Sequence, residues 1–90
     1  MIHDVLVTGS ALKHGFTPDD VECAWCNCVH DVKRESDNSI HVRMGCDTRG
    51  NMVEMIGEWH NAGGYWEVFH AMAPRDSLIK FCGLEKRNAH

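Results

Sequence analysis

The sequence predicts an α+β domain in which two N-terminal helices and a short C-terminal helix lie against one antiparallel sheet. Three observations lead to this class. Apolar and polar residues alternate with a period of two in three consecutive segments, a helix start signal precedes these segments, and another follows them. The sheet is expected to hold three strands, or four if residues 4–7 add one.

The central strand is predicted at residues 52–59, where Glu54 and Glu58 alternate with apolar neighbours. Residues 39–46 and 64–72 alternate in the same way and supply a strand on each side. The two links between these segments contain glycines, which accept a positive φ and favour hairpin turns. The three strands therefore form an antiparallel meander.

Two helices are predicted before the strands, a single turn at residues 10–14 and a longer helix that begins at Pro18. Thr17 is a suitable N-cap, and proline is favoured at the first helical position. This helix is expected to continue to the turn residues 36–39. One apolar stripe on it contains Val21, Ala24, Trp25, Cys28, Val29 and Val32. We expect the stripe to pack on the sheet with Trp25 as its largest anchor.

After the strands, Pro74 and the polar residues behind it indicate a short C-terminal helix, which Gly83 ends. The polar tail 85–90 is expected to fray. No repeat or linker divides the chain, so residues 1–90 are expected to form a single domain.

The composition is ordinary for a folded soluble protein, with 43% hydrophobic and 24% charged residues. No apolar run is long enough to span a membrane, and the first residues do not resemble a signal peptide. We therefore expect a cytoplasmic protein without a membrane partner. The formal net charge of -4 does not indicate a nucleic-acid-binding surface by itself.

The five cysteines are an odd number and are not spaced like a disulfide framework, which favours free thiols. On the predicted helix, Cys23, Cys26 and His30 share one exposed face, and these are side chains that bind zinc. A structural zinc site normally takes four ligands from two segments, and no second pair is present. We expect no metal and no cofactor, and a covering protein partner is the alternative explanation for the exposed thiols.

The sheet face away from the helices is the main candidate for chemistry. If Ile40, Val42 and Met44 face the helices, a set of polar side chains faces away from them: His41, Arg43, Glu54, Glu58 and Glu67. A cation, an imidazole and carboxylates on one surface are the groups that cleavage of a phosphodiester requires. The simpler explanation, favoured by the spacing alone, is a solvated face with cross-strand ion pairs.

His70 has two interpretations. The alternation on the last predicted strand points His70 inward, which suits a hydrogen-bonded core histidine. Its position at a strand end, shortly before Arg75 and a helix start, equally suits an anion-binding site.

Several short motifs give the chain a resemblance to a known family. Lys13-His14-Gly15 comes before a capped helix, and Phe69-His70-Ala71-Met72-Ala73-Pro74 comes after a glycine hairpin. This pattern resembles the BrnT-like toxins of bacterial toxin–antitoxin modules, which belong to the RelE-like ribonucleases, and small actinobacterial toxin-like proteins share it. The similarity covers residues 7–83. The family usually carries an arginine in the stretch that matches residues 71–73, whereas here Arg75 follows the proline.

The resemblance implies the toxin of a toxin–antitoxin system, a metal-independent ribonuclease that cleaves mRNA and is inhibited by an antitoxin from the same operon. In this hypothesis Arg43 and Arg75 stabilise the phosphate, while Glu54, His14 or His70 transfers protons. The alternative is a non-enzymatic protein-interaction module, or a degenerate toxin of the same fold. A positive groove around the two arginines favours the first, whereas carboxylates that neutralise them favour the second. Homo-oligomers are compatible with both.

Overall fold

The computed structural model of the protein describes residues 4–75. This part of the chain contains five strands, one α-helix and one 3-10 turn. In chain order these elements are β1 Asp4–Val7, the 3-10 turn Gly9–Leu12, α1 Pro18–Cys26, β2 Cys28–Arg34, β3 Asp37–Cys46, β4 Met52–His60 and β5 Tyr65–Met72.

The strands form one mixed sheet in the order β1-β5-β4-β3-β2. The strand β1 runs parallel to β5, and all other neighbours are antiparallel. The predicted fold class, two N-terminal helices with a three-stranded meander, is therefore wrong. The three predicted strands are present as β3, β4 and β5, but β1 and β2 extend the sheet on both sides. The predicted C-terminal helix after Pro74 lies outside the described residues.

The long N-terminal helix was predicted to continue to the turn at residues 36–39, but α1 ends at Cys26. Its start is as predicted, because Thr17 and Asp20 form a reciprocal capping box. At its other end, the carbonyl of Cys23 accepts both the backbone N–H of Asn27, at 3.0 Å, and the side-chain amide of Asn27, at 2.9 Å, which caps the helix. Val29 and Val32, which follow, are β-branched, and Val32 pairs with Val42 of β3. This segment therefore forms a strand, although its apolar pattern fits the helical period as well.

The helix packs on the sheet through Trp25, which is 1% exposed, and the predicted anchor is thereby confirmed. Its partners in the core are Val21 and Ala24 from the helix and Val53, Met55, Val68 and Ala71 from the sheet. A Cβ at Gly57 would lie 2.6 Å from the Trp25 ring, and one at Gly45 would lie 2.1 Å from the carbonyl oxygen of Ala24. Two glycines therefore permit the close approach of helix and sheet.

The orientation of β3 is opposite to the predicted one. Arg43 faces the helix, since its Nη1 donates to the carbonyl of Trp25 at 3.2 Å, and His41 lies on the same face two residues away. Alternation separates the two faces of a strand, but it does not identify the face that the helix covers. On β4 the prediction is right, because Val53 and Met55 pack with the helix and Glu54 therefore lies on the other face.

Within residues 4–75, no helix combines the length and apolar character that a membrane span needs.

Candidate active site

A buried carboxylate is the centre of the candidate site. Glu54 lies in the middle of the central strand β4, opposite Met44 of β3 and Met72 of β5. It is 0% exposed. A glutamate is rarely buried so completely unless hydrogen-bond donors surround its carboxylate.

Arg75 provides three of those donors. Its Nη2 lies 2.9 Å from Glu54 Oε2, and its Nε lies 3.1 Å from Oε1. Its backbone N–H also donates to Oε1, at 3.3 Å. The side chain of Arg75 is 59% exposed, so one edge of the guanidinium binds the buried carboxylate while the group reaches the surface.

His70 supplies a further contact, with Nε2 3.1 Å from Glu54 Oε2. A β-bulge brings it there. The pairing passes from Gly57 with Val68 to Ile56 with His70, which leaves Phe69 without an opposite residue. The extra residue turns His70 from the helix face to the face of Glu54, so the predicted inward orientation is wrong.

His14 approaches the same group from a different part of the chain. It follows the 3-10 turn, is exposed, and its ring centroid lies 6.5 Å from that of His70 with an interplanar angle of 70°. The structure thus brings together His14, Glu54, His70 and Arg75, which come from three separate parts of the sequence.

The environment of Glu54 determines its charge state. Burial raises the pKa of Glu54, but hydrogen bonds from the side chain and backbone of Arg75 and from His70 outweigh burial, and the pKa is lowered overall. Glu54 is therefore ionised near neutral pH. Because it is fully buried and both of its oxygens are engaged, it is suited to hold His70 and Arg75 in place rather than to take a proton from a substrate.

Arg43 does not join this group. Its guanidinium carbon lies 4.3 Å from the centroid of the Trp25 ring and 4.7 Å from that of Trp66, so it makes a cation–π contact with each of the two indoles. Its Nη2 also lies 3.1 Å from Asp31 Oδ2, and the side chain is 16% exposed. The position of Arg43 is that of a core cation on the opposite face of the sheet.

The cysteine group considered as a zinc site is divided by the end of the helix. Cys23 and Cys26 belong to α1, whereas His30 belongs to β2, so the three no longer share a helix face. Burial raises the pKa of the Cys26 thiol, and the nearby Glu22 carboxylate acts in the same direction. The thiolate form that binds metals is therefore disfavoured at Cys26.

An aromatic groove that was not predicted from the sequence lies on the helix side of the sheet. It has a volume of about 320 Å³ and is lined by Lys33, Asn38, His41, Trp59 and Trp66. The rings of Trp59 and Trp66 meet at 5.1 Å. The sequence shows the period-two alternation of Trp59 and Trp66 along their strands. It does not show that they line one groove, because that depends on where the helix ends.

Comparisons of the chain with protein-family models, with curated proteins and with solved structures give no match. The resemblance to BrnT-like toxins therefore stays a prediction from short motifs. The cluster of His14, Glu54, His70 and Arg75 offers two imidazoles and a guanidinium beside a buried carboxylate.

Proposed function

We propose that the protein is a toxin-like endoribonuclease in which His14 and His70 transfer protons and Arg75 stabilises the phosphate. The observation that supports this proposal is that His70 and Arg75 both contact the buried Glu54, while the His14 ring lies 6.5 Å from the His70 ring. They come from a loop, from β5 and from the segment after β5. The proposal narrows the hypothesis from the sequence, because it omits Arg43 and makes Glu54 a positioning residue.

The reaction is the attack of a ribose 2′-hydroxyl on the adjacent phosphorus. One neutral imidazole accepts the proton of the 2′-hydroxyl as the new O–P bond forms. The other imidazole, in its protonated form, gives a proton to the 5′-oxygen as the old P–O bond breaks. The products are a 2′,3′-cyclic phosphate and a 5′-hydroxyl, and this chemistry needs two groups with the acid–base properties of histidine.

Glu54 prepares His70 for one of these roles. Because the ionised carboxylate only accepts hydrogen bonds, the neutral His70 ring carries its proton on Nε2, 3.1 Å from Glu54 Oε2. This tautomer leaves Nδ1 as the basic nitrogen. The same carboxylate fixes Arg75 through Nε and Nη2. Among residues 4–75 no group accepts a hydrogen bond from Nη1, which can therefore donate to a phosphate oxygen.

The proposal is tested by RNA cleavage in vitro and by growth arrest in cells that lack the antitoxin gene. We expect His14→Ala and His70→Ala each to reduce the cleavage rate by roughly 10²-fold or more, as for general acid–base groups. Arg49→Ala is the matched control for Arg75→Ala, because the Arg49 side chain is also exposed, at 68%. If both histidine variants cleave RNA at the wild-type rate, the assignment of His14 and His70 as proton-transfer groups is wrong.

A second candidate function is a non-enzymatic protein-interaction module. Both arginines from the hypothesis are paired with carboxylates, Arg43 with Asp31 and Arg75 with Glu54, which reduces the positive field for RNA. The strand β2 also lies at an edge of the sheet of residues 4–75, and it exposes Val29 at 53% and Val32 at 36%. This alternative is favoured if the protein arrests growth without cleaving RNA and if Val32→Lys abolishes the growth arrest.

A further inference from the structure

The β4–β5 hairpin carries a group of metal-binding side chains that the proposed cleavage does not use. Among residues 4–75, Glu58, His60 and Glu67 form the one set of three histidine, cysteine or acidic side chains whose ligand atoms all lie within 4.8 Å of one another. They lie on the same strand face as Glu54, towards the other end of β4.

The three side chains point to one position. His60 Nε2 lies 2.7 Å from Glu67 Oε1 and 3.9 Å from Glu58 Oε1. Each side chain is about one-third exposed, so solvent and ions reach the group while part of it is shielded. His60 also stacks on Tyr65, with ring centroids at 4.8 Å and an interplanar angle of 15°, which fixes the plane of the imidazole.

The arrangement is unfavourable for two carboxylates unless a cation shares it. Glu58 and Glu67 are directly opposite each other in the β4–β5 pairing, and like charges at such positions repel. Glutamate side chains are long enough to separate into solvent, yet both of these turn towards the same imidazole nitrogen. A neutral imidazole and two carboxylates carry a charge that a divalent cation balances.

We propose that Glu58, His60 and Glu67 bind a zinc ion. Nitrogen and oxygen ligands of these types bind Zn²⁺ at about 2.0–2.2 Å, and three protein ligands leave a fourth position for water. Adjacent ligands of a tetrahedral zinc are about 3.3 Å apart at such bond lengths. The present separations lie on both sides of that value, so the side chains need only small movements. The ion takes the position of the hydrogen between His60 Nε2 and Glu67, and the neutral imidazole then carries its proton on Nδ1.

This proposal does not depend on ribonuclease activity, and its test is a binding experiment on the full chain. Zn²⁺ binding is measured by titration calorimetry with a non-thiol reductant present, and Co²⁺ absorption reports the ligand type. We expect one ion per chain and a Co²⁺ spectrum without thiolate charge-transfer bands. At a hundredfold excess of Zn²⁺ over its Kd, the melting temperature should rise by roughly 10 °C or more.

Variants distinguish this site from the cysteines. Glu58→Gln and Glu67→Gln preserve side-chain shape and should each weaken Zn²⁺ binding by at least tenfold, while His60→Ala should abolish it. The double variant Cys23→Ser and Cys26→Ser is the control and should bind as tightly as the wild type. The proposal is wrong if the Co²⁺ spectrum shows thiolate bands or if the cysteine double variant no longer binds Zn²⁺. It is also wrong if the wild type does not bind Zn²⁺ at millimolar concentration.

Discussion

Arg75 closes over the carboxylate of Glu54, with Nη2 2.9 Å from Oε2 and Nε 3.1 Å from Oε1. The backbone N–H of Arg75 adds a third bond to the same group, at 3.3 Å. These donors replace the water that a carboxylate with 0% exposure has lost, and they fasten the segment after β5 onto the central strand.

The first prediction concerns this pair. Arg75→Ala leaves a buried, charged carboxylate without its main partner and should lower the free energy of unfolding by about 1–3 kcal/mol, less than for a fully buried pair because Arg75 is 59% exposed. Adding Glu54→Gln to Arg75→Ala should recover part of this loss, since it removes the unpaired charge. Urea unfolding of the single and double variants measures both effects. Equal stability of the two would show that the charge of Glu54 is not what Arg75 stabilises.

The second prediction concerns the cation–π contacts of Arg43 with Trp25 and Trp66. Arg43→Ala should destabilise the fold by roughly 2–4 kcal/mol, because two cation–π contacts are lost and Asp31 loses its cation. Trp25→Ala should cost about 3–5 kcal/mol, as is typical of large-to-small core changes. Thermal and urea unfolding test both variants. If the Arg43→Ala protein is as stable as the wild type, Arg43 does not stabilise the core and is again a candidate for a functional role.

The third prediction concerns the closest contact between helix and sheet. A Cβ at residue 45 would lie 2.1 Å from the carbonyl oxygen of Ala24, and backbone cannot move aside as a flexible side chain does. Gly45→Ala should therefore destabilise the protein by more than about 2 kcal/mol, through displacement of α1. Gly9→Ala is the matched control, because a Cβ there has no heavy atom within 4 Å. If both variants melt at the same temperature, the helix is not held as closely as the structure has it.

The strands β3, β4 and β5 could be predicted because apolar and polar residues alternate along each of them with a period of two. The segment 28–32 could not, since its apolar residues fit a helical stripe as well as a strand, and the choice depends on pairing with the distant β3. The edge strand β1 was predicted only as an optional fourth strand, and its parallel pairing with β5 is a tertiary property that alternation does not encode.

The candidate site was predicted in part. His14, Glu54, His70 and Arg75 were identified as candidates, while their convergence depends on a bulge at Phe69 that no local pattern marks. Without this bulge, His70 would lie on the helix face beside Val68. Arg43 was assigned to the wrong face because a charged side chain was expected to avoid the core, whereas two indoles and Asp31 compensate its burial.

The fourth prediction concerns acid stability and the cap of α1. The hydroxyl of Thr48 donates to Asp20 Oδ1 at 2.7 Å, and the backbone and side chain of Thr17 complete the capping box. Together these bonds lower the pKa of Asp20 from 3.8 to about 2, with the Thr48 bond as the largest cause. The folded protein therefore holds the ionised form of Asp20 more strongly than the unfolded chain does.

A carboxyl whose pKa is lower in the folded state stabilises the protein fully above its unfolded pKa. For Asp20 this contribution is present above about pH 4 and is lost as the pH falls from 3.8 towards 2. Thr48→Val removes the strongest donor, so it should lower the melting temperature at pH 6, and the difference from the wild type should shrink as the pH approaches 2. Comparing the two proteins at each pH cancels the titration of other groups such as Glu54. A difference that stays constant from pH 6 to pH 2 would mean that Thr48 acts through packing and not through the charge of Asp20.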